Sequence, residues 1–169
     1  MNQYLKQSKV KENGMAVNIV EADYDNPKQA GHVLELTNIY SKDPMGQNAP
    51  LSNYSKEHLI EGLKSLPTAF SLIAYLNDEA VGLANCIISF STFYAKRLIN
   101  IHDLMVKPQA RGNGIGRKLL EAVEEKARGE NYCKITLEVR RDNRARNLYE
   151  RFGFHPDDVP LDFWIKELG

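Results

Sequence analysis

The segment Val106-Lys107-Pro108-Gln109-Ala110-Arg111-Gly112-Asn113-Gly114-Ile115-Gly116 decides how this chain is to be read. An apolar, strand-like run ends at Val106, Pro108 closes it, and apolar residues at helical spacing begin at Ile115. Three glycines at alternate positions let the backbone take unusual dihedrals and approach a ligand closely. The first turn of the following helix offers N–H groups without internal partners, and the helix dipole adds partial positive charge there. A strand, a glycine turn and a helix start in this order form an anion seat suited to a pyrophosphate, with Arg111 and Arg117 placed to add charge-assisted contacts.

Downstream, Ile115, Leu119, Leu120, Val123 and Ala127 mark one helix face that Gly129 is expected to stop. Ile135, Leu137 and Val139 alternate as a strand, and Ala145, Leu148, Tyr149 and Phe152 mark another helix face before Gly153. Pro160 to Leu168 is read as a last strand. Upstream, Leu98 to Val106, Ala80 to Phe93 and Ala69 to Leu76 read as strands, the last two joined by Asn77-Asp78-Glu79. Before them lie a helix expected from Ser55 as N-cap to Leu66, a loop over Ser41 to Asn53, a helix from Pro27 to Tyr40, and a strand from Val17 to Ala22. Three consecutive strands suggest an antiparallel meander, while strand–helix–strand from Leu98 to Val139 requires a parallel pair. The fold class is therefore α/β (α+β), a mixed sheet with helices on both faces.

Length and composition agree with one domain over 15–169. At 43% hydrophobic and 26% charged residues, the chain is ordinary globular material rather than a disordered one. Its 22 basic and 22 acidic residues balance, which gives no reason to expect nucleic acid or an anionic membrane as partner. Cys86 and Cys133 lie far apart without paired spacing, against a disulfide framework or a zinc site, and no metal is expected. Residues 1–14 are polar and lysine-rich without a signal-peptide core, and are read as a mobile leader with Met15 as an alternative start. The expected compartment is the cytoplasm.

Two nucleotide motifs fail when checked. No G-x-x-x-x-G-K-[ST] is present, so the loop is not a P-loop. A dinucleotide fingerprint needs glycine where Arg117 stands, although Glu138 falls where such a fold would place its ribose-binding acid.

Gln109 to Gly116 resembles the Q/R-x-x-G-x-G/A pyrophosphate loop of the GNAT superfamily of N-acetyltransferases. Asn143-Arg144-Ala145-Arg146-Asn147-Leu148-Tyr149-Glu150-Arg151-Phe152-Gly153-Phe154 is similar to that family's second motif, ending in "LY…GF". The likeness covers nearly all of Val17 to Leu168, in detail Asn100 to Phe154. It implies the acyl-CoA N-acyltransferase fold, with a mostly antiparallel sheet of six to seven strands. It further implies transfer of an acetyl group from acetyl-CoA to an amine by direct attack in a ternary complex. A non-catalytic acyl-CoA-binding module stays open as the alternative, and a homodimer is allowed.

By the same resemblance, strand 98–106 splays from strand 134–139, and main-chain groups of Leu104, Met105 and Val106 pair with the pantetheine. The N–H of Leu104 would polarise the thioester carbonyl. Arg111, Gly112, Asn113, Gly114, Ile115, Gly116 and Arg117 would hold the pyrophosphate. Family members usually carry Asn seven residues before the tyrosine, where this chain has Asp142, with Asn143 next, and either of the two is the pantetheine contact. Tyr149 lies on an apolar helix face, where a tyrosine commonly serves the core, and the resemblance makes it the general acid.

The acceptor needs a base, because an amine of pKa ~10.4 is uncharged in only about one molecule in 2,500 at neutral pH. His102 and Asp103 lie late in the cofactor strand, and an imidazole is tuned to relay that proton. Adjacent strand residues face opposite ways, so only one of the pair faces the acceptor unless a bulge intervenes. Asp43 in the 40–54 loop and the aromatics Phe90, Phe93 and Tyr94 are further candidates for the acceptor site, against readings as a solvated turn and as core. His32, His58 and His155 are read as surface or packing residues.

Overall fold

The computed structural model describes residues 10–12, 15–157 and 164–168. Its elements run β1 (Val10–Glu12), β2 (Met15–Glu21), α1 (Pro27–Lys42), α2 (Asn53–Ser65), β3 (Ala69–Leu76), β4 (Glu79–Ser91) and β5 (Lys96–Val106). After a short 3-10 turn at Pro108–Ala110 come α3 (Ile115–Gly129), β6 (Ile135–Leu137) and α4 (Arg146–Phe152). The strands form one sheet in chain order, antiparallel throughout except for the parallel pair β5–β6.

Local signals account for most boundaries. Asn26 caps α1 through its side-chain oxygen, which accepts from the N–H groups of Lys28 and Gln29, and Pro27 takes the first helical position. Ser52, rather than the expected Ser55, caps α2, and Ser55 supplies the N–H that Ser52 accepts at 3.0 Å. Asn77 and Asp78 both adopt positive φ (49° and 67°), the two-residue turn whose twist suits a hairpin, so β4 begins at Glu79.

The sheet separates two apolar layers. On one face α3 lays Ile115, Leu119, Leu120 and Val123 against Leu72, Ala84, Ile99 and Ile101. On the other, Val33 and Leu36 of α1 meet Ile73, Leu83 and Met105, with Ile60 and Leu63 of α2 at the margin. Gly82 lets α3 approach the sheet closely, since a Cβ there would lie 3.1 Å from Ile115 Cγ2 and 3.2 Å from Leu119 Cδ1.

Two sequence expectations need correction. The body of the sheet, β2 to β6, has five strands; the sixth is the three-residue β1, paired with Met15 to Val17. The closing strand expected over Pro160 to Leu168 is absent from 164–168, which take no regular structure, while 158–163 lie outside the described residues. Most of the 1–14 leader is likewise outside them.

Gly82→Val should drive a branched side chain into the α3 contact and cost about 1–3 kcal/mol. Urea denaturation followed by circular dichroism measures that loss as a lowered midpoint.

Candidate active site

β5 and β6 pair only through Ile99–Ile135, Asn100–Thr136 and Ile101–Leu137. β5 then continues to Val106 along β4, while the chain beyond Leu137 leaves it. Lys107 N–H donates to Val81 O at 2.8 Å, which fixes the phase of the β4–β5 ladder. By antiparallel alternation the main-chain groups of Met105 point at β4, and those of Leu104 and Val106 point into the gap. Val106 O indeed accepts from Arg111 Nε at 3.0 Å on that side. The main chain of Met105 is engaged with β4 and its side chain is buried against α1, although the residue borders the cavity.

The gap opens into a cavity of about 1010 Å³, walled by Leu104 to Val106, the 110–117 turn, the 142–145 turn and α4, with Tyr40 and Asp43 to Met45 opposite. Gly112 and Gly114 take positive φ (85° and 71°), which favours glycine, and Gly114 caps α3 with no side-chain hydrogen bond. The first N–H groups of α3 therefore face the cavity without a capping side chain. Gly116 sits where a Cβ would come within 3.0 Å of Leu148 Cδ2, so its small size lets α3 and α4 approach. Asn113 does not line the cavity; it braces the turn by donating to Ala110 O at 3.1 Å.

Charge on the walls is mostly positive in effect. Asp43 is paired with Arg111 at 3.0 Å and Asp142 with Arg140 at 2.7 Å. Arg117 pairs with Glu121, while Arg144 and Arg151, which also line the cavity, make no ion pair among the described residues. These two and Tyr40 were missed in the sequence. For Arg151 the signal was present, since residues 148 and 151 share a face of α4, whereas Arg144 lies in the turn before that helix. The Met45 N–H holds the Asp43 carboxyl below the usual range, with Arg111 adding to the effect and partial burial opposing it. Asp43 is thus a matched structural charge rather than a free attractor of cations. Asp142 and Asn143 both reach the cavity, and Asn143 Oδ1 also accepts from Ala145 N–H at 2.9 Å at the approach to α4.

Tyr149 is only 8% exposed and lines the cavity from α4. Gly153 (φ 102°) ends that helix, and Phe154 N–H returns to Tyr149 O, which brings the Phe154 ring edge-on to Tyr149 at 6.0 Å. This explains locally why a glycine–aromatic pair follows the tyrosine. Its hydroxyl has no partner among the described residues, yet it is not a sealed, unsatisfied atom, so it is reached through the cavity. Burial, with a smaller effect from Tyr40, pushes the phenol up to about 12. Burial also holds the Cys86 thiol far above the usual range, which rules it out as a nucleophile.

The β4–β5 ladder shifts register between Asn85–Asp103 and Cys86–Ile101, leaving His102 as the extra residue of a bulge. Ile101 faces the α3 core, so His102 turns to the α1 side; Asp103 lies on that side too, bonded to Asn85 Nδ2 at 2.9 Å. The bulge thus brings both candidates to one face. Phe90, Phe93 and Tyr94 neither line the cavity nor join a core; Phe93 is 99% exposed on the β4–β5 hairpin. His32, His58 and His155 bond to Tyr75, Tyr54 and Pro156, as packing and surface residues do. Among the described residues no group of three His, Cys, Asp or Glu could hold a metal, and no helix is long and apolar enough to cross a membrane.

A parallel strand pair that parts after three residue pairs, a glycine turn feeding a helix without a side-chain cap and a tyrosine at the gap form the site of an acetyltransferase-type fold. The chain belongs to the acetyltransferase (GNAT) family, whose model matches residues 33–154. It is 41% identical over 88 residues to the uncharacterized N-acetyltransferase YhfO of Bacillus subtilis, covering 51% of this chain and 58% of that one. It is 31% identical over 90 residues to the aminoalkylphosphonate N-acetyltransferase of Salmonella typhimurium, covering 52% and 58%. The chain therefore spans under two thirds of the length of these relatives. A solved probable acetyltransferase shares the fold with a TM-score of 0.76 at 20% identity, covering 89% of this chain and 98% of that one.

Because the Asp43 carboxyl is lowered, its contribution to stability is full above the unfolded value, about 3.9, and is lost as pH falls through the folded one. Asp43→Asn should be less stable than the wild type near neutrality by at most about 1 kcal/mol, given partial exposure. Thermal melts across the acid range should show that difference closing once the wild-type carboxyl is protonated.

Proposed function

We propose that this protein transfers an acetyl group from acetyl-CoA to a primary amine, by direct attack while both are bound. The observation that carries the reading is the gap beyond Ile101 and Leu137, into which the main chain of Leu104 and Val106 turns beside the uncapped start of α3. Acetyl-CoA, when bound, supplies an activated thioester. The N–H groups of Gly114, Ile115 and Gly116 and the guanidinium of Arg117 suit its diphosphate. Arg144 and Arg151 offer further positive charge at the same cavity, without an ion pair among the described residues. The Arg111 side chain, now bonded to Val106 O, gives up that contact to a pantetheine amide in the bound state.

The chain's own groups then divide the proton work. Leu104 N–H donates to the thioester carbonyl and draws charge from its carbon. The amine nitrogen forms the new C–N bond, the C–S bond breaks, and the proton lost by nitrogen goes to His102. Tyr149 donates its proton toward the departing sulfur, and solvent restores both side chains. A thiol titrates near ~8.5, so full transfer from a phenol at about 12 runs uphill. Tyr149 accordingly helps mainly by hydrogen-bonding the developing thiolate, and its contribution is moderate. Holding an amine of pKa ~10.4 uncharged at neutral pH costs roughly 4.6 kcal/mol, which makes proton removal the more demanding task.

Tyr149→Phe should lower kcat about 10- to 100-fold, while acetyl-CoA affinity by calorimetry stays near the wild-type value. His102→Ala should show a loss that shrinks as pH rises toward the amine's own pKa, because hydroxide and free amine then replace the relay. Equilibrium dialysis that detects no CoA binding at millimolar ligand would overturn the whole reading.

A further inference from the structure

A buried polar chain crosses the layer between the sheet and α1. Tyr24 Oη lies 2.8 Å from Ser71 Oγ, Ser71 Oγ donates to Asn85 Oδ1 at 2.7 Å, and Asn85 Nδ2 donates to Thr37 Oγ1 at 3.3 Å and Asp103 Oδ2 at 2.9 Å. Thr37 in turn donates to Val33 O at 2.8 Å.

The direction of every proton in this chain follows from its ends. A carboxylate only accepts, so the Asn85 amide must present its NH2 to Asp103 and its oxygen to Ser71. Ser71 spends its one proton on Asn85, so Tyr24 donates to Ser71. Ser71 is fully buried and Asn85 is 5% exposed, in the middle of strands otherwise packed with Leu72, Ile73, Leu83 and Ala84. Apolar residues there would fill the layer without any network to satisfy. What the chain accomplishes is to fix one oxygen of Asp103. Its other oxygen, Oδ1, has no partner among the described residues and is not a sealed atom. Asp103 stands beside the cavity-lining Tyr40 and Met105 rather than in the cavity wall itself, and a ligand on the α1 face can reach that oxygen.

The bulge works toward the same end. Without His102 as an extra residue, Asp103 would follow Ile99 and Ile101 into the α3 core. With it, Asp103 joins Met105 on the α1 face, near enough to Tyr40 for its charge to act on that cavity-lining phenol.

We infer that Asn85 is a positioning residue that holds Asp103 with one carboxylate oxygen free to receive the ammonium of a cationic amine acceptor. The inference rests on the acetyl-transfer reading and narrows its acceptor to amines that arrive charged. Asp103 docks the ammonium, which releases one proton to solvent to free its lone pair. His102, one residue earlier on the same face, takes the second proton as the C–N bond forms and the C–S bond breaks.

Steady-state kinetics with acetyl-CoA test this on ethanolamine, ethylenediamine, spermidine, 2-aminoethylphosphonate and an alanine-initial peptide, beside methoxyamine, a nucleophile uncharged at neutral pH. With the best cationic amine, Asn85→Ala should raise KM about 10-fold, the loss of one hydrogen bond to a charged group, and leave kcat within about 3-fold. Its KM for methoxyamine should not change, and in an Asp103→Ala background it should have no further effect. Ser71→Ala, a smaller deletion that frees the Asn85 amide, should give the same selectivity at reduced size if Asn85→Ala does not fold. An equal loss on methoxyamine, or an effect that persists without Asp103, would assign Asn85 to packing and overturn the inference alone. Acetyl-CoA binding without wild-type turnover of any amine would overturn both it and the transfer reading.

Discussion

Where β6 stops following β5, the protein leaves main-chain groups of its central sheet without a neighbouring strand. Backbone N–H and C=O groups away from water must be satisfied, so such a gap either fills or demands an occupant. Here β5, eleven residues long, is held on its other side by the thirteen-residue β4, paired along its whole length apart from the one bulge. The gap therefore cannot close by β5 drifting toward β6. On its far side the chain turns away after Leu137 and reaches α4, which puts Tyr149 beside the opening. Cavity, main-chain donors and phenol all follow from this one divergence of two strands.

Close approach of α3 is the second requirement. The helix can point its uncapped start at the gap only if it lies near the sheet, and Gly82 and Gly116 remove the side chains that would hold it off. Leu119, Leu120 and Val123 then secure it from behind, all buried to 1% exposure or less. The apolar face that stabilises the helix is also what aims it. Folding energy and ligand geometry come from the same contacts, so a mutation at this seam acts on both.

Legibility in the sequence followed the range of the signal. α3 was readable because five apolar residues repeat on one face, and the hairpin turn because Asn77-Asp78 accepts positive φ. The glycine turn and Tyr149 were readable through two motifs in fixed order. The α2 cap was misplaced because Ser52 and Ser55 both suit the position, and only the Ser55 N–H bonded to Ser52 decides between them. The bulge at His102 had no sequence signal, since a register shift is a property of two strands together. The Arg111–Asp43 pair, 68 residues apart, was equally hidden. Phe90, Phe93 and Tyr94 misled for a related reason: the alternation that implied a buried strand runs past the point where the sheet still has helices over it.

The chain carries no net charge, yet its charges are sorted around the gap. Arginines at 111, 117, 144 and 151 line the cavity, and the two carboxylates that line it, Asp43 and Asp142, are already engaged by arginine. Asp103 lies on the α1 face of β5, held by an uncharged amide instead of a cation. An amide donor fixes a carboxylate's position without neutralising it, whereas an arginine would do both. In the reaction proposed above, one negative charge then stands on the acceptor side and several positive charges on the cosubstrate side. A polyanionic cosubstrate and a cationic acceptor can share such a site without either being drawn to the other's place, which is what direct transfer between two bound molecules requires.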